Sequence, residues 1–332
     1  MKKSLLLLLF SMLLALIMVA CGGSEDTSSE PEEDTEETAQ QDSNDDEQAE
    51  EAADEPKEIT VDHELGQTVI EETPETVVVF DLGVLDTLDA LGVEIAGVPV
   101  DSVPDYLSQY AEDGYENVGS LFEPDFEKIF DMQPDLIIIS GRASEAYDEL
   151  ADIAPTLFMS TDPDHYLESF ASNVTLLGDI FDKEELAAQK VADVEASVAD
   201  LVEKTSDISG LIVLANDGSL SAFGPGSRFG FLHGEFGVEP ADENIEVSNH
   251  GQSISFEYIV QTNPEYLFVV DRGAIVGGES SAQQTIENEV TENITAYQED
   301  KIVYLDPVFW YITTGGITAT EGMIAEVDAA IQ

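Results

Sequence analysis

Runs of four to six apolar residues recur along the chain at 76–80, 136–140, 211–215, 266–271 and 301–305, separated by longer amphipathic stretches. Continuous apolar runs suit strands buried on both faces, and their alternation with helical patterns predicts an α/β fold with parallel sheets. Two shorter segments, 59–63 and 68–70, predict an opening hairpin. The stretch 164–204 is helical in composition, with a break around Asp182-Lys183, and 183–204 contains neither Gly nor Pro. At about 1.5 Å per residue that second piece spans a small domain.

One pattern occurs twice. DFEKIFDMQPDLIIISGR at 125–142 aligns without a gap with SFEYIVQTNPEYLFVVDR at 255–272. Phe126 matches Phe256, Glu127 matches Glu257, Pro134 matches Pro264, and Arg142 matches Arg272. Each copy reads as a short helix, a break before proline, a buried strand, and an arginine just past the strand's carboxyl end. Ligands of open parallel sheets gather outside those ends. The repeat therefore predicts two α/β lobes, each of three layers, with Arg142 and Arg272 facing one cleft from opposite walls. Interlobe ion pairs would also account for two arginines at these positions.

Composition sharpens this picture. The chain has 71 Asp plus Glu, 11 Lys plus Arg and a formal net charge of -60, yet arginine occurs only at positions 142, 228 and 272. Arg carries a planar fork of donors suited to carboxylate, phosphate or catecholate oxygens, and it stacks on aromatic rings. The acidity argues against nucleic-acid partners. At high salt the Debye length falls to about 3 Å, so an anionic ligand would feel nearby arginines far more than the distant surface.

Arg228 lies in AFGPGSRFGFLHGEFG, where a strand at 219–223, a Gly-Pro-Gly turn and a helix-like stretch at 229–236 suggest an anion near a helix start. His63, His165, His233 and His250 show no metal-ligand spacing, and no nucleophile elbow organises Ser, His and Asp for hydrolysis. His233 fits a core position, and His250 a polar loop. The aromatic segment YLDPVFWY at 304–311 follows a strand, where Trp310 and Tyr311 either line the cleft or pack its loop. A tyrosine oxygen also suits Fe(III), a hard cation.

The amino terminus has a separate character. Residues 1–20 combine Lys2 and Lys3 with an apolar run too short for a comfortable membrane span, and Met18-Val19-Ala20-Cys21 resembles a bacterial lipobox. That resemblance implies cleavage before Cys21, the only cysteine, and lipidation of its sulfur. From residue 22 to 56 there are 16 acidic residues and no basic one, as expected of a self-repelling tether. The expected organisation is a signal peptide at 1–20, an anchored acidic tether at 21–56, an N-terminal lobe at 57–162, an interlobe helix at 163–206 and a C-terminal lobe at 207–332.

Taken together, SISFEYIVQTNPEYLFVVDR, GGESSAQQTIENE and KIVYLDPVFWY resemble the substrate-binding lipoproteins of ABC importers for ferric siderophores, in the petrobactin- or catecholate-binding branch. The resemblance spans about 57–332. It implies a non-enzymatic, monomeric binding protein without a cofactor, held on the outer face of the cell membrane by its lipid, whose cargo is an Fe(III)–siderophore complex. It further implies an arginine triad of Arg142, Arg228 and Arg272 around the ligand. His250 and Tyr311 would reach the iron when the siderophore leaves coordination positions open. Glu127 and Glu257 would dock on the permease, although either also suits the first turn of any helix. Haem or cobalamin carriers of the same transporter class, and a lipid-anchored siderophore-processing enzyme, are the competing expectations.

Overall fold

The computed structural model describes residues 58–332. The expected signal peptide, Cys21 and the acidic tether lie outside them. Among the described residues no helix is long and apolar enough to cross a membrane.

The chain opens with an antiparallel hairpin, β1 (Ile59–His63) and β2 (Gly66–Ile70). The first sheet is wholly parallel. It contains β3 (Val77–Val79), β4 (Gly97–Val98), β5 (Glu116–Asn117), β6 (Leu136–Ile139) and β7 (Thr156–Phe158) in the order β5-β4-β3-β6-β7. All residues of β3 and β6 are buried, which is why these segments read as unbroken apolar runs. Helices α1 (Leu82–Ala90), α2 (Phe126–Met132) and α3 (Tyr147–Ala151) connect them.

Two antiparallel helices lead to the second sheet. α4 (Tyr166–Ile180) and α5 (Glu184–Thr205) are separated by a tight turn in which Asp182 adopts φ 54°. A Cβ on Gly178 would sit 2.5 Å from that of Ala187, so glycine is what lets the two helices close. The buried positions Ala187, Val194, Val198, Leu201 and Thr205 form one stripe along the 22-residue α5.

The second sheet is mixed. Its strands are β8 (Ser209–Asn216), β9 (Ser219–Phe223), β10 (Glu239–Pro240), β11 (Gln252–Ile254), β12 (Tyr266–Asp271) and β13 (Ile302–Leu305). The order is β11-β9-β8-β12-β13, with β10 beside β8. β12 pairs parallel with β8 and β13 with β12, whereas β9 is antiparallel to both of its neighbours, β8 and β11. α6 (Phe231–Gly234), α7 (Phe256–Thr262), α8 (Arg272–Val276), α9 (Ala282–Ile286) and α10 (Thr295–Gln298) complete this part.

The last helix, α11 (Ile317–Ala330), departs from the expectation that everything after 207 belongs to a C-terminal lobe. It packs against α1 and α5, and the buried Asp86 of α1 accepts hydrogen bonds from Thr318 N (3.1 Å) and Ala319 N (2.8 Å) at its start. A carboxylate at a helix N-terminus satisfies donors that have no intrahelical partner. Burial nevertheless pushes the Asp86 carboxyl up in pKa despite these donors. One core cluster joins the facing surfaces of both sheets with α1, α4, α5 and α11, while two smaller clusters back each sheet on its outer face.

The repeated pattern folds alike in both copies. α2 and α7 each end on a left-handed residue, Gln133 at φ 50° and Asn263 at φ 44°, immediately before proline. A left-handed cap followed by proline stops a helix, and the chain then enters β6 or β12.

Candidate ligand-binding site

Tyr311 is the point on which the three arginines converge. Arg142, three residues beyond β6, donates from Nη2 to the Tyr311 carbonyl at 2.8 Å. Arg228, from the loop after β9, donates from Nη2 to the same oxygen at 3.0 Å and lays its guanidinium 4.2 Å from the centre of the Tyr311 ring. Arg272, at the end of β12, donates from Nε to the Tyr311 hydroxyl at 2.9 Å and from Nη1 to Asn216 Oδ1 at 3.0 Å.

The local backbone makes this possible. Tyr311 sits in a single π turn, Val308–Ile312, closed by Thr313 N donating to Val308 O at 2.9 Å. In a regular helix the Tyr311 carbonyl would accept from the amide four residues on, but Gly315 N donates instead to Tyr166 Oη at 3.2 Å. Two guanidiniums take the oxygen that is left.

The electrostatics are one-sided. Among the described residues, the only carboxylate within ion-pair distance of these arginines is Asp81, with Oδ2 4.0 Å from Arg142. Asp81 is already engaged as the N-cap of α1, accepting from Gly83 N and Val84 N at 2.9 Å each, and it also accepts from Ser140 Oγ at 2.6 Å. Burial presses down on the Arg228 pKa, and the neighbouring Arg142 and Arg272 charges add to this. For Tyr311 burial alone would raise the pKa, but the Arg272 hydrogen bond and the three positive charges outweigh it and hold the phenol below its usual value. Three guanidiniums thus gather here with one carboxylate in ion-pair range among the described residues.

A cavity of about 690 Å³ opens over this group. Arg142, Arg228 and Tyr311 line it, as do Asn249 and His250 on the rim contributed by the second sheet. Arg272 reaches it through Tyr311 rather than as part of its wall. The His250 ring is exposed.

Trp310 corrects one expectation. Its side chain is fully buried, its indole N–H donates to Glu326 Oε2 at 2.8 Å, and its ring stacks on Phe231 at 5.3 Å. Neighbouring residues of a helical turn point roughly a quarter-turn apart, so with Tyr311 in the cleft Trp310 faces the core. The helix expected at 229–236 is shorter and starts later: α6 is a four-residue helix that begins at Phe231, three residues past Arg228. The Arg228 loop is held instead by Ser227 N and Gly230 N in successive turns. His233 is buried, its Nδ1 bonded to the Val238 carbonyl, and burial lowers its pKa.

Glu127 and Glu257 are exposed in the first turns of α2 and α7. A hydrogen bond from Ser255 and the helix amide lower the Glu257 pKa. No cluster of three or more His, Cys, Asp and Glu suited to a metal ion occurs among the described residues. Sequence reasoning missed three contributors. Asp81 carried a recognisable signal as a cap before an apolar helix, whereas nothing in the sequence marks Phe122 or Tyr166 as cavity residues.

Comparison with known proteins agrees with this architecture. Residues 77–309 match the family model described as periplasmic binding protein. The petrobactin-binding protein YclQ of Bacillus subtilis (strain 168) is 47% identical over 283 residues, covering 83% of this chain and 89% of that protein. Its crystal structure matches with a TM-score of 0.81, over 83% of this chain and 99% of that one. The ferric-anguibactin-binding protein FatB of Vibrio anguillarum is 36% identical over 81% of this chain and 86% of its own length. The periplasmic catecholate-siderophore binding protein VctP of Vibrio cholerae is 39% identical, with a TM-score of 0.77 over 82% of this chain and all of that one. With its two sheets, its cleft and these relatives, the chain belongs to the periplasmic binding protein family.

Proposed function

We propose that the protein is the cell-surface binding component of an ABC iron importer, capturing an anionic ferric catecholate siderophore of the petrobactin type and delivering it to a permease. The observation that carries this reading is the convergence of three guanidiniums on Tyr311 beneath a cavity of about 690 Å³, with Asp81 the one carboxylate in ion-pair range among the described residues. The names of YclQ, FatB and VctP support the same cargo class.

A ferric catecholate is negatively charged and presents aromatic faces. Arginine answers both properties, by charge-assisted hydrogen bonds and by cation–π contact, each worth about 1–3 kcal/mol where water is excluded. The siderophore supplies affinity for iron, and the protein reads charge and shape. Binding exchanges the Tyr311 carbonyl for catecholate oxygens at Arg142 and Arg228. For complexes that leave iron positions open, His250 and the Tyr311 phenol, whose pKa is already held low, are the groups able to fill them. The protein works by binding and release, as a monomer anchored through lipidated Cys21 on the extracellular face. Glu127 and Glu257 present one acid per lobe to the permease.

Trp310 provides the test. It is buried, so it does not touch cargo, but it neighbours Tyr311 in the chain and a strongly absorbing ferric catecholate would quench it across that short distance. Saturable quenching at submicromolar ferric catecholate is expected, with weak responses to ferrioxamine, haemin and cobalamin. Saturation by haemin or cobalamin alone would overturn the cargo. Recovery of chemically altered siderophore would overturn the binding role.

A further inference from the structure

An exposed aromatic ring from the loop between β5 and α2 lines the cavity. It belongs to Phe122, which is 67% exposed. Phe130 of α2 is 66% exposed but stands outside the cavity. A phenyl ring left in water forgoes the burial that stabilises most phenylalanines, and the surrounding chain does nothing to hide this one.

Its presentation is built in. Ser120 N donates to Glu123 O at 3.0 Å, and Ser120 Oγ accepts from Phe122 N at 3.3 Å and Glu123 N at 3.0 Å. Gly119 takes φ 106°, and a Cβ there would lie 2.4 Å from Glu123 O, so only glycine permits the turn. Leu121 is buried and anchors the tip, which leaves its neighbour Phe122 facing out. The ring is thus held on a short, self-bonded loop rather than on a loose one.

We infer that Phe122 is a specificity-determining residue that stacks on a catecholate ring of the cargo and covers the mouth of the cavity. This rests on the ferric catecholate reading. The floor of the cavity, Arg142, Arg228 and Tyr311, deals with charge, and charge alone does not separate a catecholate from an anionic carboxylate complex. A ring does, because an offset or edge-to-face aromatic pair adds stabilisation beyond the area it buries. Phe122 comes from the loop between β5 and α2 and Asn249 and His250 from the loop before β11, so cargo in the cavity meets an aromatic ring as well as polar groups.

The experiment uses Fe(III)–tris(2,3-dihydroxybenzoate), read by Trp310 emission, and the diamagnetic Ga(III) analogue, read by proton NMR. With wild-type protein the catechol protons shift upfield, as expected beside a ring face. Phe122→Ala weakens binding about 5- to 10-fold, the range of a lost aromatic pair. Phe122→Tyr keeps both affinity and the upfield shift, whereas Phe122→Leu keeps apolar cover but loses the shift. Unchanged affinity in Phe122→Ala, or an upfield shift that persists in Phe122→Leu, would overturn the inference, including the case in which cellular uptake alone suffers. Failure of wild-type protein to bind either complex would instead overturn the cargo reading on which it stands.

Discussion

In the first copy of the repeat, helix, left-handed cap, proline and strand deliver Arg142 to the carbonyl of Tyr311, on the wall of the cavity. In the second, the same succession delivers Arg272 to the hydroxyl of that residue and to Asn216, behind the wall. The backbone design is shared, so the difference arises after the strands. Ser140 and Gly141 precede Arg142, and Asp81 stands 4.0 Å from it. Asp271 precedes Arg272 and is occupied with capping α8 through Ala274 N and with holding Ala282 N. A repeat fixes where an arginine leaves its strand, while the neighbouring side chains fix what it can touch.

Binding measurements would break this comparison most directly. Arg142→Gln should weaken ferric catecholate binding about 10- to 100-fold, since a charged hydrogen bond to the ligand is lost. Arg272→Gln should cost only about 3- to 10-fold, because it acts through the Tyr311 phenol. Equal losses would show the two copies to be functionally equivalent. Combining each with Tyr311→Phe sharpens the point, with additive losses for Arg142 and non-additive losses for Arg272.

The two left-handed caps give a smaller contrast, measured by urea unfolding. Asn263 uses its side chain, accepting from Thr295 N at 2.8 Å and donating to Thr295 Oγ1 at 3.0 Å. Asn263→Gly should therefore destabilise by about 1 kcal/mol. Gln133 has the strained φ of 50° and is the longer, less tolerant residue. Gln133→Gly should be neutral or stabilising by up to about 0.5 kcal/mol. A loss of the same size at both positions would erase the distinction.

The smallest signal is spectroscopic, one tyrosine of ten. Burial pushes Tyr106, Tyr110, Tyr166 and Tyr304 up, and Tyr258 up to about 12, whereas the arginines hold Tyr311 down. Absorbance near 295 nm should show an early phase on raising pH. Tyr311→Phe should remove it, and Arg272→Gln should move it upward. Persistence of the early phase in Tyr311→Phe would assign it elsewhere.

Much of the fold was legible because strands covered on both faces leave a simple trace: β12 occupies the expected 266–271 and β9 the expected 219–223. The two- and three-residue strands β4, β5, β10 and β11 left none, since such short segments carry no periodicity. The return of α11 to α1 depends on Asp86, and a buried acid cannot be told from a surface one by its letter. At the site, the pairing of Arg142 with Arg272 followed from the repeat, whereas Arg228 joined them only through its glycine-rich turn and the family resemblance. The opposite fates of Trp310 and Tyr311 followed from none of these, because they turn on a π turn five residues long.

That turn also has an evolutionary consequence. The acceptor shared by Arg142 and Arg228 is a main-chain oxygen, which no substitution at position 311 deletes. Side chain 311 is therefore free to be exchanged while the two guanidiniums keep their resting place. Selection can rewrite the face shown to cargo without first dismantling the cationic floor, so a change of siderophore is accessible in single steps.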